Sequence, residues 1–137
     1  MSQTPGVACP CGRLDSRGRA LTLAQCCGRY LGGHEHAPDP VSLMRSRYTA
    51  FVLSDESYLL ASWYPGTRPA QAKSEPGAKW LGLEVRDHRD VDITHAEVEF
   101  VARYLPAAGS GKAVRLHERS RFIREQGRWY YVDGDAC

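Results

Sequence analysis

The sequence predicts an α+β protein in which helices come first and a run of antiparallel strands follows. Apolar residues recur with the helical period between about residues 41 and 63, and from Trp80 onward they recur at every second position. Helices followed by consecutive strands are typical of helices packed on one face of an antiparallel sheet. The length of 137 residues suits one domain with a short appendage.

The first long helix is predicted to begin at Asp39 and Pro40. Aspartate is a favoured N-terminal capping residue, and proline is favoured at the first helical position. The apolar stripe then predicts a helix over residues 41–52. Residues 54–56 can cap a second helix, 57–63, which ends before Pro65.

Four strands are predicted after the helices. Leu81, Leu83 and Val85 alternate with small or polar residues, and the same alternation continues over residues 97–104 and 114–122. A last strand over residues 128–133 follows Gln126-Gly127, a pair that suits a two-residue hairpin turn.

The N-terminal stretch, residues 1–38, is predicted to be a small module separate from a main domain of residues 39–137. It has few large apolar residues, so it needs a metal or disulfides to hold its shape. Residues 1–47 carry six arginines and three acids, whereas the remainder is close to neutral. This balance favours acidic partners only weakly and does not by itself predict nucleic-acid binding.

Neither a membrane span nor a signal peptide is predicted. No apolar run approaches the roughly 20 residues that a membrane helix requires, and the first residues lack a basic start and an apolar stretch. We therefore expect a cytoplasmic protein, and in that compartment clustered cysteines more often bind metal than form disulfides.

Four cysteines form two close pairs, Cys9 with Cys11 and Cys26 with Cys27. Four thiolates complete the tetrahedral coordination of zinc and leave no open position, so the pairs predict a structural Zn²⁺ site. An iron–sulfur cluster also accepts four cysteines, and the spacing leaves iron open. A redox pair is disfavoured because the usual motif with two intervening residues is absent. The nearby histidines, His34 and His36, could replace a thiolate.

Several segments resemble known families. Residues 9–12 (CPCG) and 25–28 (QCCG) resemble the SEC-C zinc motif found at the tail of the SecA translocation ATPase. Residues 43–51 (LMRSRYTAF), 117–122 (HERSRF) and 129–134 (WYYVDG) resemble the bacterial YchJ family, also called UPF0225.

The resemblance implies an N-terminal SEC-C module, with the four cysteines as zinc ligands, followed by an NTF2-like domain of helices on a bent sheet. The family brings no established activity. One departure concerns the loop between the two cysteine pairs, which has fourteen residues, 12–25, where the motif usually has about eight. The longer loop need not disturb ligation, because loop closure becomes costlier only slowly with length.

A cone-shaped sheet of this kind often encloses a pocket. Glu118 interrupts the apolar strand face of residues 114–122, and a buried carboxylate needs a partner. Arg45 or Arg47 on the first helix is expected to supply it, as a structural ion pair. The alternative is a pocket carboxylate that acts as an acid or base. The predicted pocket residues are Arg45, Arg47, Tyr48, Trp63, Glu118 and Trp129.

These features predict a non-catalytic binding or adaptor protein whose zinc module contacts a protein partner. The sequence contains no Ser–His–acid pattern, no phosphate-binding glycine loop and no dinucleotide fingerprint. Two alternatives stay open. One is a protein that binds a small molecule, or an enzyme, acting through the pocket around Glu118. The other is a nucleic-acid adaptor that uses the basic zinc module.

Overall fold

The computed structural model describes residues 7–73, 77–107 and 111–137. Over these residues the chain forms three helices and four strands. They are α1 (Gly28–Leu31), α2 (Pro40–Leu53), α3 (Glu56–Ala61), β1 (Lys79–Asp90), β2 (His95–Leu105), β3 (Val114–Glu125) and β4 (Arg128–Ala136). The strands make one antiparallel sheet in the order β1-β2-β3-β4. Helix α2 packs on β1, β2 and β4, so the predicted α+β fold is confirmed.

Helix α2 begins as its sequence predicts. The Asp39 side chain accepts a hydrogen bond of 2.7 Å from the backbone N–H of Ser42, and Pro40 occupies the first helical position. The helix ends at Ser54, whose left-handed backbone (φ 57°) turns the chain into α3. Asp55 caps α3 by accepting from the N–H of Tyr58 at 3.1 Å.

Helix α2 is buried on more than one side, because it lies between the sheet and the N-terminal segment. Met44 and Tyr48 belong to the core that includes the sheet residues Val98 and Phe122. Thr49 is fully buried and contacts Cys9. The helix therefore supports both the sheet and the cysteine-containing segment, of which residues 1–6 lie outside the described part. The predicted division at residues 38 and 39 stays a prediction.

A β-bulge at Leu81 interrupts the alternation of side chains in β1. Trp80 lies opposite Tyr104 and Gly82 lies opposite Arg103, so Leu81 is the extra residue of a β-bulge and is 47% exposed. A bulge shifts the alternation of side chains by one residue. Trp80 therefore takes the inward position, with its ring 5.5 Å from that of Tyr48.

The hairpin predicted at Gln126-Gly127 is confirmed. Both residues have left-handed backbones (φ 53° and 78°). A two-residue turn needs this conformation when its twist matches that of the flanking strands. Strand β4 then pairs on its other side with the segment after α3, where Tyr64 donates its N–H to the Tyr131 carbonyl at 2.7 Å. This pairing holds Trp63 with its ring 5.0 Å from that of Tyr131.

No described helix has the length and apolar character that a membrane-spanning helix needs.

Candidate metal centre and sheet cavity

The first cysteine pair lies at the base of a small hairpin. Ala8 pairs with Thr22, and Leu14 pairs with Ala20. The long segment between the two cysteine pairs thus forms an ordered antiparallel hairpin. Its tip is fixed by the Asp15 carboxylate, which accepts hydrogen bonds from the backbone N–H groups two and four residues further on, at 2.8 and 3.0 Å.

The second cysteine pair lies in a tight turn that leads into α1. The backbone N–H groups of Cys26 and Gly28 both donate to the Leu23 carbonyl, at 3.1 and 2.8 Å. A Cβ atom at Gly28 would lie only 2.6 Å from that carbonyl oxygen. Only glycine allows so close an approach of the backbone at this position, which explains the glycine after the two cysteines.

The four thiols converge on one point. All four sulfur atoms of Cys9, Cys11, Cys26 and Cys27 lie within 4.8 Å of one another. The sulfur of Cys26 is 3.7 Å from that of Cys11 and 4.0 Å from that of Cys27, and all four thiols are free. Zinc–sulfur bonds of about 2.3 Å give a tetrahedron with edges of about 3.8 Å. The cluster is therefore compatible with a single tetrahedral metal ion.

The cluster is buried against α2. None of its four cysteines is more than 5% exposed. The Thr49 hydroxyl lies 3.7 Å from the Cys9 sulfur, and Arg45 donates to the Cys11 carbonyl at 2.9 Å. Contacts of this kind orient the ligands of a metal from outside its coordination sphere.

Three of the thiols have pKa values shifted by their neighbours and by burial. Hydrogen bonds from Cys11 and Cys27 lower the pKa of the Cys9 thiol, whereas burial raises the pKa of the Cys26 thiol to about 12. Hydrogen bonds to Cys11 and Cys9 raise the pKa of Cys27 as well. A metal cation would favour the deprotonated form of every thiol, so the donor set fits a soft divalent metal.

Neither His34 nor His36 belongs to the cluster, and both side chains are exposed. Cys137 is exposed too, but it has unexpected neighbours. Its sulfur lies within 4.8 Å of a ligand atom of His117 and of Glu99, and His117 Nε2 is 2.6 Å from Glu99. Strand pairing brings these three residues together, and no local spacing in the sequence indicated it.

A cavity of about 200 Å³ lies between α2 and the concave face of the sheet. Its lining includes four of the predicted pocket residues, Arg47, Tyr48, Trp63 and Glu118. The other lining residues are Met44, Phe51, Trp80, Phe100, Ala102, Leu116, Ser120, Phe122 and Tyr131. The alternation in β3 predicted the inward position of Glu118 correctly.

The ion pair predicted between Glu118 and Arg45 or Arg47 is wrong. Glu118 instead accepts hydrogen bonds from the Ser120 hydroxyl at 2.7 Å and the Tyr131 hydroxyl at 3.2 Å. A Cβ at Gly134 would overlap its carboxylate, so glycine makes room for this arrangement. Burial, followed by the Glu118 charge, raises the pKa of Tyr131, which keeps the donating hydroxyl protonated.

Arg47 is held by other groups. Its Nη1 donates to the Leu59 carbonyl at 2.8 Å and to the Ser62 hydroxyl at 2.7 Å. Its guanidinium carbon lies 4.8 Å from the ring centre of Trp63 and 4.3 Å from that of Tyr131. Burial lowers the pKa of Arg47 to about 10, so the side chain is still charged at neutral pH.

Arg45 and Trp129 lie outside the cavity, contrary to prediction. Arg45 is two residues from Arg47, and two residues correspond to a rotation of about 200° around a helix. Arg45 therefore faces the cysteine cluster instead of the cavity. Trp129 lies nearer the hairpin turn of β4 and lines a second cavity together with Tyr30 and Leu43.

Two arginines of β3, Arg119 and Arg121, lie on the outer face and are paired with acids. Arg119 contacts Glu97 at 2.6 Å and Asp87 at 3.1 Å. Arg121 contacts the two acids of β4, Asp133 and Asp135, at 2.6 and 2.7 Å. These pairs neutralise the charges of both arginines.

The comparisons with known proteins agree with this architecture. The family described as "YchJ, middle NTF2-like domain" matches residues 39–134. A UPF0225 protein from Polaromonas sp. (strain JS666) is 62% identical over 134 residues, which are 96% of this chain and 95% of the relative. A UPF0225 protein from Polaromonas naphthalenivorans is 56% identical over 133 residues, covering 93% of this chain and 96% of the relative.

Two solved structures are similar over most of their length. A SEC-C motif containing protein from Rhodopseudomonas palustris has a TM-score of 0.81 at 32% identity, covering 96% of this chain and 99% of the other. One from Psychrobacter arcticus has a TM-score of 0.75 at 28% identity, covering 92% and 80%. The chain belongs to the YchJ (UPF0225) family, and its main domain is NTF2-like, as the sequence resemblance implied.

Proposed function

We propose that this member of the YchJ family is a non-catalytic binding protein in which Cys9, Cys11, Cys26 and Cys27 hold one structural Zn²⁺. The convergence of four buried sulfur atoms within 4.8 Å carries the proposal. Four protein ligands fill a tetrahedral zinc ion and leave no position for water or substrate, so such a site stabilises structure and performs no hydrolysis.

The sulfur separations favour a single metal ion over an iron–sulfur cluster. A cluster places several iron atoms between the cysteines, so its ligands must lie farther apart than ligands that share one atom. The observed distances of 3.7 and 4.0 Å are close to the edge of a zinc tetrahedron. Among single ions, zinc is the usual occupant of four thiolates in a structural site.

Elemental analysis tests the metal. Protein purified without added metal is expected to contain about one zinc per chain. Replacing Cys27 with serine should abolish retention, while Cys137→Ser, which changes the exposed cysteine, should leave the content unchanged. Iron in place of zinc, or loss of zinc in the Cys137 variant, would contradict the assignment.

The partner surface that we propose is the tip of the hairpin, residues 14–19. Leu14 is 57% exposed there, and Arg17 and Arg19 are exposed as well. Within the described ranges no carboxylate forms an ion pair with either guanidinium. An apolar side chain flanked by two free cations suits a protein partner with an acidic surface around an apolar contact.

Charge distribution argues for a protein partner over a nucleic acid. Of the basic residues near the cluster, Arg13 donates to Ser42 and Arg45 donates to Cys11. Arg29 contacts Glu35 at 3.7 Å. These internal contacts leave few cations free to contact phosphates, and contacts from Lys and Arg to phosphates supply essentially all of the non-specific affinity for DNA.

A pull-down from a bacterial lysate tests the surface. The double charge reversal Arg17→Glu/Arg19→Glu, or removal of zinc, should abolish capture of an acidic protein. The matched control is Arg103→Glu/Arg115→Glu, which reverses two exposed, directly opposed arginines on the sheet and should leave capture intact. Equal loss in both variants, or material that disappears on nuclease treatment, would contradict the proposed partner.

A further inference from the structure

The sheet cavity has the size and the walls of a binding site for one small ring. An apolar cavity of about 150 Å³ holds benzene, so about 200 Å³ suits a single substituted ring. Aromatic side chains from α2 and from all four strands form much of the wall. They include Tyr48, Phe51, Trp80, Phe100, Phe122 and Tyr131.

Two opposite charges lie on the wall without contacting each other. Arg47 is only 6% exposed, yet it has no salt bridge with Glu118, since no N···O pair comes within 4.0 Å. Their charges still interact, because Glu118 raises the pKa of Arg47 against the larger effect of burial. A ligand that bridges them would relieve the desolvation of both.

Each of these charged groups retains unused hydrogen-bonding capacity. Arg47 donates through Nη1, and its other nitrogens have no acceptor among the described residues. Glu118 accepts through Oε2, and no donor from the same residues reaches Oε1. The wall therefore offers donors beside an acceptor, with no net charge.

We infer that this cavity binds a small, neutral, planar ring that carries a carbonyl acceptor beside an N–H donor, as a cyclic amide does. The carbonyl would accept from Arg47, the N–H would donate to Glu118, and the ring would stack on the aromatic walls. A ligand with a full charge would be attracted by one of the two groups and repelled by the other. Leu116 lines the cavity and is 41% exposed, which marks the side from which a ligand enters.

This inference concerns the sheet cavity and is independent of the partner proposed for the N-terminal hairpin. Titration of the nitrogen-15-labelled, zinc-loaded full chain with 2-pyridone tests it. The indole N–H signals of Trp63 and Trp80, which line the cavity, should shift saturably. The signal of Trp129, which lies outside it, should not move and serves as an internal control.

The chemistry of the ligand is tested on the unmodified protein. N-methyl-2-pyridone lacks the donor, benzoate adds a negative charge and benzamidinium adds a positive one. Each should bind at least about tenfold more weakly than 2-pyridone, which corresponds to about 1.4 kcal/mol. Equal or tighter binding of either charged ring would overturn the inference, and so would the absence of a saturable shift with 2-pyridone.

A charge change in the wall provides a second test. Glu118→Gln removes the negative charge but keeps the size of the side chain, so Arg47 becomes uncompensated. The variant should lose affinity for 2-pyridone and bind benzoate at least about tenfold more tightly than the unmodified protein does. The control Glu84→Gln alters an exposed carboxylate of β1 outside the cavity and should change neither affinity. If Glu118→Gln left the preference unchanged, Arg47 and Glu118 would not select the ligand.

Discussion

Thr49 is a residue of α2 whose side chain contacts a thiol of the cluster, with its hydroxyl 3.7 Å from the Cys9 sulfur. When Cys9 is a thiolate, that hydroxyl donates to it and stabilises the charged form. Thr49→Val removes the donor at almost constant volume, and we expect metal affinity to fall by about tenfold, as is typical when a group supporting a ligand is lost. Competition with a chelating dye measures this.

The control for that experiment is Thr49→Ser, which keeps the hydroxyl and should retain most of the affinity. If the valine and serine variants bound metal equally well, the hydroxyl would not support the site.

Gly134 is the residue of β4 that leaves room for the Glu118 carboxylate. A methyl group at this position overlaps the carboxylate, and overpacking of this kind costs about 1–3 kcal/mol. Gly134→Ala should therefore lower the free energy of unfolding by that amount in denaturant titration. In a Glu118→Ala background the same change should cost much less, because the overlapping group is gone. An equal cost in both backgrounds would mean that the two residues do not interact.

Contacts between side chains were predictable from the sequence only where the residues involved lie close together along the chain. The two cysteine pairs are local features, and their convergence needs one hairpin and one turn. The partner of Glu118 is not local. It depends on the rotation of α2 over the sheet and on Tyr131, which arrives from a different strand. Sequence alternation gave the face of Glu118 but not its neighbours.

At the scale of single elements, the start of α2 is the best-defined boundary in the chain. Asp39 accepts from the N–H of Ser42, one of the donors that a helix leaves unsatisfied at its N-terminus. Asp39→Ala should cost about 1 kcal/mol of stability, within the usual range of 0.5–2 kcal/mol for loss of a cap. Thermal or denaturant unfolding of the zinc-loaded protein measures the cost.

Asp39→Ser is the matched control for the cap, since serine also accepts from the same backbone group. It should stay within a few tenths of a kcal/mol of the natural protein. If the serine variant were as unstable as the alanine variant, the capping hydrogen bond would not be the way in which the Asp39 carboxylate stabilises the protein.

Strand β1 shows why the elements were easier to predict than their registers. The apolar alternation identified the strand, but the extra residue at Leu81 leaves no mark in that pattern. The bulge depends on how β1 pairs with β2 and on the packing of Trp80 against Tyr48 of α2, and neither contact is local in the sequence. The hairpin at Gln126-Gly127 was predictable because its glycine suits the left-handed backbone that the turn demands.

At the scale of the whole molecule, α2 connects the two candidate sites. One side of the helix meets the cysteine cluster through Thr49, and Arg47 reaches the sheet cavity from the same helix. The buried core includes the cysteines and Tyr30 together with Met44, Tyr48 and the sheet residues. The composition of the N-terminal stretch predicted that it needs a metal. It did not predict how extensively this stretch packs against α2 and the rest of the core.

Removal of zinc tests how far the two parts depend on each other. The N-terminal segment has little apolar surface of its own, so the metal should supply most of its folding free energy. Stripping zinc should give fast hydrogen exchange over residues 9–27 and weaker protection on the α2 face around Thr49. Strands β2 and β3, with buried Val98 and Phe122 at their centre, should stay protected because their pairing does not involve the cysteines. Restoring one equivalent of zinc should recover the original pattern. Global loss of protection on chelation would contradict the two-part organisation, because the metal would then hold one continuous core.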